Sequence, residues 1–476
     1  MFFRQIPDPH LAQYAYLIGC QRTGEALLVD PERDVDRYLE LAAEEGLRIV
    51  GVAETHIHAD FLSGARELAE RLDVTLYLSA AGGPEWQSEW AQGGRYNVRP
   101  LRDGDVFTIG GIELQTLHTP GHTPEHVCFL VVDRGAGANE PIGIFTGDFV
   151  FAGDLGRPDL LETAAGQSGA KEPAARALFR SVQRFLELPD HLQVWPAHGA
   201  GSACGKALGA VPTSTVGYER RFNAAIAAAG RGEDAFVAAI LDGQPEPPLY
   251  FGRMKRLNNE GVPLLGALPR PRTLTVNALI ERARGNGAVV LDARRDRRAF
   301  MRGHVQGSLH APFDKSFPTI AGSYVEPEQV VYLVIDRDRV DHAVRDLVRI
   351  GLDRVAGYVT PAALAAYAEA GGPLRSTEVI DFDGVRRRYR QPDVAVLDVR
   401  SAVEYGAGHV EGAINVPHTR LAAQLERIPK DKDVLVYCRS GGRAAAASAL
   451  LERAGRRVIY VDDDVARWTQ PAAVPA

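Results

Sequence analysis

The feature that most constrains the fold is an internal repeat in the second half of the chain. Residues 289–312 (VVLDARRDRRAFMRGHVQGSLHAP) match residues 396–417 (VLDVRSAVEYGAGHVEGAINVP) at an offset of about 105 residues. Each copy alternates short apolar strands with helical stretches, which predicts a parallel sheet covered by helices. We therefore expect two copies of one α/β domain in this half of the chain.

The first half contains short apolar runs bounded by turn residues, and these predict strands. The predicted strands are YAYLIG, LRIVGVAET, VTLYLS, IELQTLHT, HVCFLVVD and IGIFTGD. The stretch 244–272 carries too many prolines and glycines for a regular element, so we predict a linker there. The expected organisation is a domain at 1–245, a linker at 246–271, and two repeat domains at 272–375 and 376–476.

Composition excludes several classes of protein. The net charge of −7 gives no reason to expect nucleic acid or a membrane surface as partner. The sequence has no apolar run long enough to span a membrane, and its first residues, MFFRQIPDPHLAQ, lack the pattern of a signal peptide. Four cysteines are too few for a disulfide framework in so long a chain, which predicts a reducing, cytoplasmic location.

Four short motifs predict a metal site in the first domain. Each follows a predicted strand, and a sheet edge is a rigid place to hold ligands. Their histidines and acids do not fit one helix face but fit loops that fold around a cation. The motifs are THIHADF with His56, His58 and Asp60, HTPGHTPEH with His122, FTGDFVF with Asp148, and WPAHGAG with His198. Two further histidines, His118 and His126, are expected to be structural.

The order of these motifs resembles the metallo-β-lactamase superfamily. Three further stretches, GDLGRPDL at 153–160, AHGAGSACGK at 197–206 and YFGRMKRLN at 250–258, are similar to persulfide dioxygenases fused to rhodanese domains. The resemblance runs over the whole chain. It implies an α/β protein in which a metallo-β-lactamase αββα sandwich precedes two rhodanese-like domains with parallel sheets.

The resemblance also implies the metal and its ligands. In that family one iron is held by the first histidine of the first motif, the TPGHT histidine and the GD aspartate, which here are His56, His122 and Asp148. Two imidazoles and one carboxylate form the facial triad of non-haem Fe(II) enzymes, which leaves coordination positions open. Phe61 stands where the usual superfamily motif has another histidine, which disfavours a dinuclear zinc centre. We therefore predict one Fe(II) per chain.

Neighbouring polar residues are given supporting roles. We expect His58, Asp60 and His198 to orient the ligands and tune their basicity. For Arg157, two roles stay open: attraction of an anionic substrate, or a structural salt bridge. Cys204 follows His198 in a glycine-rich loop, so we predict that it lies near the metal and contacts substrate.

The other cysteines differ in their surroundings. Cys128 lies in an apolar run and is expected in the core, and Cys20 has no assigned role. Cys438 begins the loop CRSGGR, where glycines let backbone N–H groups converge and a helix N-terminus follows. Arg439 and Arg443 add positive charge, and together these features stabilise a thiolate or a persulfide. The loop resembles the sulfurtransferase loop of rhodaneses.

The first repeat copy is predicted to be inactive. Aligning VYLVIDRD (331–338) with VYCRSGGR (436–443) places Leu333 opposite Cys438 and Asp338 opposite Arg443. This copy then has no nucleophile and a reversed charge, so we expect it to serve packing, spacing or assembly.

The predicted function is bifunctional and belongs to sulfide detoxification. The metal domain oxidises a low-molecular-weight persulfide with dioxygen to sulfite, and Cys438 transfers sulfane sulfur to form or use thiosulfate. The alternatives are a thioester hydrolase of the glyoxalase II type and a non-catalytic persulfide carrier or sensor. The thiol carrier (glutathione, coenzyme A or another), the direction of sulfur transfer and homo-oligomerisation stay open.

Overall fold

A computed structural model describes residues 1–163, 166, 168–285 and 287–469. Its contacts divide the chain into two units: Met1–Ala267 with Arg349–Gly351, and Leu268–Val348 with Leu352–Ala476. The predicted domain boundaries stay a prediction, and residues 470–476 of the last predicted domain lie outside the described residues. Within the described ranges, no helix combines the length and apolar character needed to cross a membrane.

The first unit is built on two six-stranded sheets. One has its strands in chain order: Phe2–Asp8, Gln13–Cys20, Glu25–Val29, Arg48–Ala53, Thr75–Ser79 and Asn97–Leu101. The other has the spatial order Ser214–Thr215, Gln193–Pro196, Gly143–Gly147, Val127–Asp133, Ile112–His118 and Val106–Ile109. A two-stranded ribbon joins Val150–Phe151 to Asp154–Leu155. All six strands predicted from apolar runs are confirmed.

Three apolar clusters give this unit four layers. Tyr16 of the first sheet and Phe129 of the second share one cluster, which is the core between the sheets. Tyr38 packs on the outer face of the first sheet, and Leu178 packs on the outer face of the second. The αββα sandwich is confirmed. The helices of this unit are Asp36–Glu44, Ala65–Arg71, Leu160–Thr163, Lys171–Phe185, Val216–Phe222, Ala224–Ala229, Glu233–Leu241 and Phe251–Glu260, with 3-10 turns at Pro84–Trp86, Glu89–Ala91 and Arg134–Ala136.

The helix Phe251–Glu260 corrects the prediction that 244–272 holds no regular element. Its ten residues contain no proline, so the breakers flank the helix without interrupting it. Asn258 on this helix lies buried against the loop that carries the first metal motif. Its Nδ2 donates to the carbonyl oxygens of His58 at 2.8 Å and Phe61 at 2.7 Å, and its Oδ1 accepts from the backbone N–H of Ser63 at 2.9 Å. The helix therefore clamps that loop.

The second unit contains two five-stranded sheets of identical topology. The first copy has the order Arg272–Thr273, Val355–Val359, Val330–Val334, Ala288–Asp292 and Leu309–His310, and the second has Glu378–Ile380, Arg457–Val461, Asp433–Tyr437, Val394–Asp398 and Ile414–Asn415. Every strand pair in both sheets is parallel. The predicted repeat of parallel α/β sheets is confirmed. The helices are Val276–Arg282, Arg297–Arg302, Phe317–Tyr324, Val340–Arg349, Pro361–Glu369, Phe382–Arg388, Ala402–Gly406, Gly442–Arg453 and Ala466–Thr469, with 3-10 segments at Arg337–Arg339 and His418–Arg427.

Strand pairing shows which residues of the two copies are equivalent beyond the repeated LDxR motif. Asp292 and Asp398 occupy the same place in the repeated LDxR motif. Asp292 pairs with Val334, and Asp398 pairs with Tyr437. Val334 and Tyr437 therefore end equivalent strands.

This register corrects one prediction about the first copy. The residue after the strand is Cys438 in the second copy and Ile335 in the first, so Leu333 is not the counterpart of Cys438. Asp338 lies in the 3-10 turn before its helix, whereas Arg443 lies inside its helix, so these two are not equivalent either. The sequence match erred because it paired the two VY dipeptides, although the stretch from Asp292 to Val334 is three residues longer than the stretch from Asp398 to Tyr437. Ile335 is a buried hydrocarbon side chain, so the first copy still lacks a thiol at this position.

The clamp at Asn258 gives a prediction. Asn258→Ala should lower the free energy of unfolding by about 2–4 kcal/mol, because it leaves buried backbone groups of the loop without partners. Urea unfolding of the full chain measures this. Asn259→Ala is the matched control, since Asn259 makes only one long contact, 3.4 Å from Nδ2 to the carbonyl of Glu85. Equal stability of the two variants would contradict the clamp.

Candidate functional site

The four predicted metal motifs meet at one edge of the first unit. His56 follows the strand Arg48–Ala53, His122 follows Ile112–His118, Asp148 follows Gly143–Gly147, and His198 follows Gln193–Pro196. The four side chains are at most 4% exposed. The structure thus brings together residues that are up to 142 positions apart in the chain.

His56, His122 and Asp148 form the first donor group. One donor atom from each lies within 4.8 Å of the others. Asp148 Oδ2 is 3.8 Å from His56 Nε2 and 3.5 Å from His122 Nε2. Among the described residues, His56 Nε2 and both carboxylate oxygens of Asp148 have no hydrogen-bond partner. Buried polar atoms without partners are costly, and a bound cation would satisfy all of them.

Hydrogen bonds on the far side of each ligand set its direction. His122 Nδ1 donates to the carbonyl oxygen of Arg157 at 3.0 Å, which leaves Nε2 free to bind a metal. His56 Nδ1 lies 2.9 Å from Thr55 Oγ1, and this contact likewise leaves the Nε2 atom of His56 free to bind a metal. The backbone N–H of Asp148 donates to His126 Nε2 at 3.1 Å. His126 is therefore structural in the sense predicted, because it positions a candidate ligand.

Burial shifts the protonation of these groups. It lowers the pKa of His122 to about 3 and that of His56 well below its usual range. It raises the pKa of Asp148 to about 6. Neutral imidazoles keep their lone pairs available, which is the form that binds metals.

Asp60, His198 and Cys204 make a second group beside the first. One donor atom from each lies within 4.8 Å of the others. His198 Nε2 is 3.3 Å from Asp60 Oδ2 and 3.3 Å from Asp148 Oδ1. Burial, reinforced by the nearby carboxylate of Asp148, raises the pKa of the Cys204 thiol well above its usual range. Cys204 lies next to the first donor group, as the sequence predicts.

The Nε2 atom of His58 contacts two carboxylates that lie outside the first donor group. This atom lies 2.9 Å from Glu54 Oε2 and 3.3 Å from Asp30 Oδ1. Burial opposes protonation, but these carboxylates raise the pKa of His58 well above its usual range. The ring of Phe61 stacks on His58 with centroids 4.4 Å apart.

The second unit carries the predicted thiol loop. Cys438 is buried, and the backbone N–H of Gly441 donates to its Sγ at 3.2 Å. Gly441 has a φ of 97°, and a Cβ there would lie 2.6 Å from the hydroxyl oxygen of Tyr460, so only glycine fits this turn. Arg443 makes two bonds to Glu404, of 2.6 and 2.7 Å, and lines the same cavity as Cys438. The loop thus brings a backbone N–H donor and positive charge to one sulfur atom.

Two family descriptions match the chain. Residues 9–198 match the metallo-β-lactamase superfamily, and residues 381–471 match the rhodanese-like domain. A crystal structure of a metallo-β-lactamase from Staphylococcus aureus subsp. aureus COL has a TM-score of 0.67 and 40% identity, and the match covers 76% of this chain and 99% of that one. The chain belongs to the metallo-β-lactamase superfamily. It carries a rhodanese-like domain in addition.

Two relatives of this superfamily illustrate its range. The bovine protein named persulfide dioxygenase ETHE1, mitochondrial, is 30% identical over 42% of this chain and 68% of its own length. A probable polyketide biosynthesis zinc-dependent hydrolase, BaeB, of Bacillus velezensis is 27% identical over 41% of this chain and 77% of its own length. Each match covers less than half of this chain, so neither relative speaks for the whole chain.

Two roles were open for Arg157, attraction of an anionic substrate and a structural salt bridge. The structure supports the salt bridge. Its guanidinium is fully buried and makes paired bonds to Asp159 of 2.8 and 2.6 Å. It also donates to the carbonyl oxygens of Ala203 and Pro245. This geometry argues against contact with substrate. Arg157 instead fixes the segment whose backbone carbonyl orients His122.

The remaining cysteines lie apart from both donor groups. Cys128 is in the core, as predicted, and burial raises the pKa of its thiol to about 12. Cys20 accepts a hydrogen bond from the backbone N–H of Gly111 at 3.2 Å, which lowers the pKa of its thiol to about 7.

Sequence reasoning missed Lys255, on the helix Phe251–Glu260. Its Nζ lies 3.6 Å from the ring centroid of Trp86. Burial lowers the pKa of Lys255 to about 8, although Glu125 opposes the shift. Trp86 and Glu125 line the cavity that leads to His56. In the sequence, the feature that could have indicated Lys255 is its place in the stretch YFGRMKRLN at 250–258, which resembles persulfide dioxygenases.

Gly156 gives the prediction for this site. A Cβ at Gly156 would lie 1.7 Å from the carbonyl oxygen of Asp148, so Gly156→Ala must displace the backbone of a candidate ligand. We expect the metal content of the purified protein to fall by at least about tenfold, as metal affinity does when ligand support is lost. Elemental analysis measures this. Gly230→Ala is the control, because its Cβ would meet only an ordinary contact at 3.4 Å. Unchanged metal content in Gly156→Ala would show that the position of Asp148 is unimportant.

Proposed function

We propose that this chain is a bifunctional enzyme of sulfur metabolism. Its metal domain oxidises a low-molecular-weight persulfide to sulfite and the parent thiol, and its rhodanese-like domain transfers sulfane sulfur through Cys438. The observation that carries the proposal is the buried group of His56, His122 and Asp148, whose free donor atoms converge. The persulfide dioxygenase relatives and the rhodanese match support it.

The cofactor in this proposal is one Fe(II), held by His56, His122 and Asp148. Two neutral imidazoles and one carboxylate suit iron that must keep coordination positions free. When bound, Fe(II) supplies the reactivity towards dioxygen that protein side chains lack. The overall reaction is RSSH + O₂ + H₂O → RSH + SO₃²⁻ + 2H⁺. The chain's contribution is to hold ligand atoms in place and to keep bulk water away from a site that is almost fully buried.

A single metal is favoured over two. Phe61 offers no ligand atom, and it fills the space beside His58 by stacking. In the second donor group, burial raises the pKa of the Cys204 thiol well above its usual range. A protonated thiol is a poor ligand. Asp60, His198 and Cys204 are therefore proposed to orient the first group and contact the substrate.

Lys255 supplies the positive charge that Arg157 cannot. Low-molecular-weight persulfides ionise easily and often carry carboxylates or phosphates. Lys255 Nζ stands over the ring of Trp86, which lines the same cavity as His56. We assign it to attraction of the anionic substrate.

The transfer step at Cys438 needs no redox partner. When thiosulfate is the donor, the Cys438 thiolate bonds to its outer sulfur, the S–S bond of thiosulfate breaks, and sulfite leaves with the electron pair. When sulfite is the acceptor, it attacks the outer sulfur of the Cys438 persulfide and leaves as thiosulfate. Gly441 N–H and Arg443 stabilise negative charge on sulfur in both directions.

Two rival functions make different predictions for oxygen. A thioester hydrolase consumes water and leaves dioxygen untouched, and the BaeB relative is named as a probable zinc-dependent hydrolase. A persulfide carrier or sensor consumes neither water nor dioxygen. An oxygen-electrode assay with added persulfide separates the dioxygenase from both rivals, and testing glutathione and coenzyme A persulfides in turn identifies the thiol carrier.

The metal assignment predicts one iron per chain after anaerobic purification. His122→Ala and Asp148→Ala should lower persulfide-dependent oxygen uptake at least about a hundredfold, because each removes one of three ligands. Elemental analysis and an oxygen electrode give the two readouts, and His118→Ala serves as a control histidine outside the group. Two tightly held zinc ions per chain, or full uptake in either ligand variant, would refute the assignment.

The two chemistries should separate at Cys438. Cys438→Ser should remove sulfur transfer while leaving persulfide-dependent oxygen uptake near normal, because a serine hydroxyl does not ionise here and forms no persulfide. Sulfite should then accumulate where the parent enzyme makes thiosulfate, which product analysis measures. The first copy should not compensate, since Ile335 carries no sulfur. A parallel fall in oxygen uptake would mean that Cys438 feeds the metal site.

A further inference from the structure

The cavity at Cys438 has walls from both repeat copies. It measures about 420 Å³ and belongs to the second unit. The second copy contributes Cys438, Arg439 and Arg443, and the first contributes three more basic residues, Arg295, Arg297 and Lys315. The copy that lacks a nucleophile therefore forms part of the surroundings of the nucleophile of the other copy.

The first copy also holds the thiol loop in place. Arg297 donates through Nη2 to the backbone carbonyl of Ser440 at 2.9 Å and through Nε to Asp462 Oδ1 at 2.8 Å. Arg298 donates to the other oxygen of Asp462. Asp462 lies beside Gly441, since a Cβ on that glycine would be 2.8 Å from Asp462 Oδ1. These bonds fix the basic residues of the first copy relative to Cys438.

The charge of the cavity is strongly positive. Five basic side chains line it against one carboxylate, Asp314. Part of that charge is used within the protein, because Arg443 binds Glu404 and Arg297 binds Asp462. Arg295 donates through Nε to the backbone carbonyl of Phe313. Because a carbonyl group carries no net charge, this bond does not neutralise the positive charge of Arg295.

A buried histidine adds an acceptor to the same wall. His310 is 1% exposed, and its Nε2 donates to the carbonyl oxygen of Arg294 at 3.0 Å. This leaves Nδ1 as an acceptor, and Nδ1 has no hydrogen-bond partner among the residues described. A ligand that brings both negative charge and a proton, such as hydrogensulfite, would pair with the basic side chains of this wall and donate a hydrogen bond to His310 Nδ1.

We propose that the first repeat copy is the anion-binding half of the Cys438 site and recognises a small sulfur oxyanion, sulfite or thiosulfate, through Arg295 and Lys315. The proposal rests on sulfur transfer by Cys438. It gives the nucleophile-free copy a role in substrate recognition: its basic wall places the oxyanion against the sulfur that Cys438 carries.

The test is the double variant Arg295→Gln/Lys315→Gln in the full chain. We expect the KM for thiosulfate, and for sulfite as acceptor, to rise at least about tenfold with little change in kcat, because the charges bind the oxyanion without touching the reacting sulfur. With dithiothreitol, an uncharged acceptor, the KM should not change. Arg284→Gln, an exposed arginine of the same copy outside the cavity, is the matched control.

Each other outcome decides against the proposal. Unchanged KM values for the oxyanions, or an equal rise for dithiothreitol, would overturn it. A rise confined to glutathione or coenzyme A would assign the cavity to a larger anionic thiol and overturn the oxyanion assignment. Calorimetric binding of sulfite to the parent and variant chains is a second readout. If the parent binds sulfite more tightly than the variant but transfers no sulfur, the proposed function fails and the anion site stands.

Discussion

The burial of polar atoms that have no protein partner is the constraint on which the first unit depends. His56 Nε2 and the carboxylate oxygens of Asp148 are buried and have no hydrogen-bond partner among the described residues. Each such atom costs roughly 1–3 kcal/mol if it stays unsatisfied. A cation bound between rigidly supported ligands would offset this cost. The support is visible in the hydrogen bonds that His126 Nε2 accepts from the backbone of Asp148 and that the carbonyl oxygen of Arg157 accepts from His122.

Sequence reasoning found the candidate ligands because they carry local signals. His56 and His122 sit in short motifs at strand ends, and strand ends can be located from apolar runs. Arg157 and Lys255 show the limit. Both are basic residues in short motifs, yet Arg157 is buried against Asp159 whereas Lys255 stands over Trp86. Asp159 stands in the same motif as Arg157, but the burial of the pair cannot be read from that motif. Trp86 lies far from Lys255 in the chain, so the local sequence does not show that contact either.

The repeat shows a similar limit for alignment. Identical topology was predictable because strand and helix alternate in the same way in both copies. The equivalence of single residues was not, because the stretch that leads to Val334 is three residues longer than the stretch that leads to Tyr437, and only strand pairing fixes the register. The same holds for the helix Phe251–Glu260, where flanking prolines masked a regular element.

The clamp from Asn258 has a consequence for the order of events during synthesis. Its side chain closes the loop at His58 and Phe61, residues that leave the ribosome roughly 200 positions earlier. Until the helix Phe251–Glu260 has emerged, the backbone groups of that loop lack their partner. The nascent sandwich can therefore assemble its two sheets first, but the loop bearing His56 settles only afterwards. We therefore expect metal acquisition to be a late step in the maturation of this protein, timed by translation of a segment that supplies none of the candidate ligands.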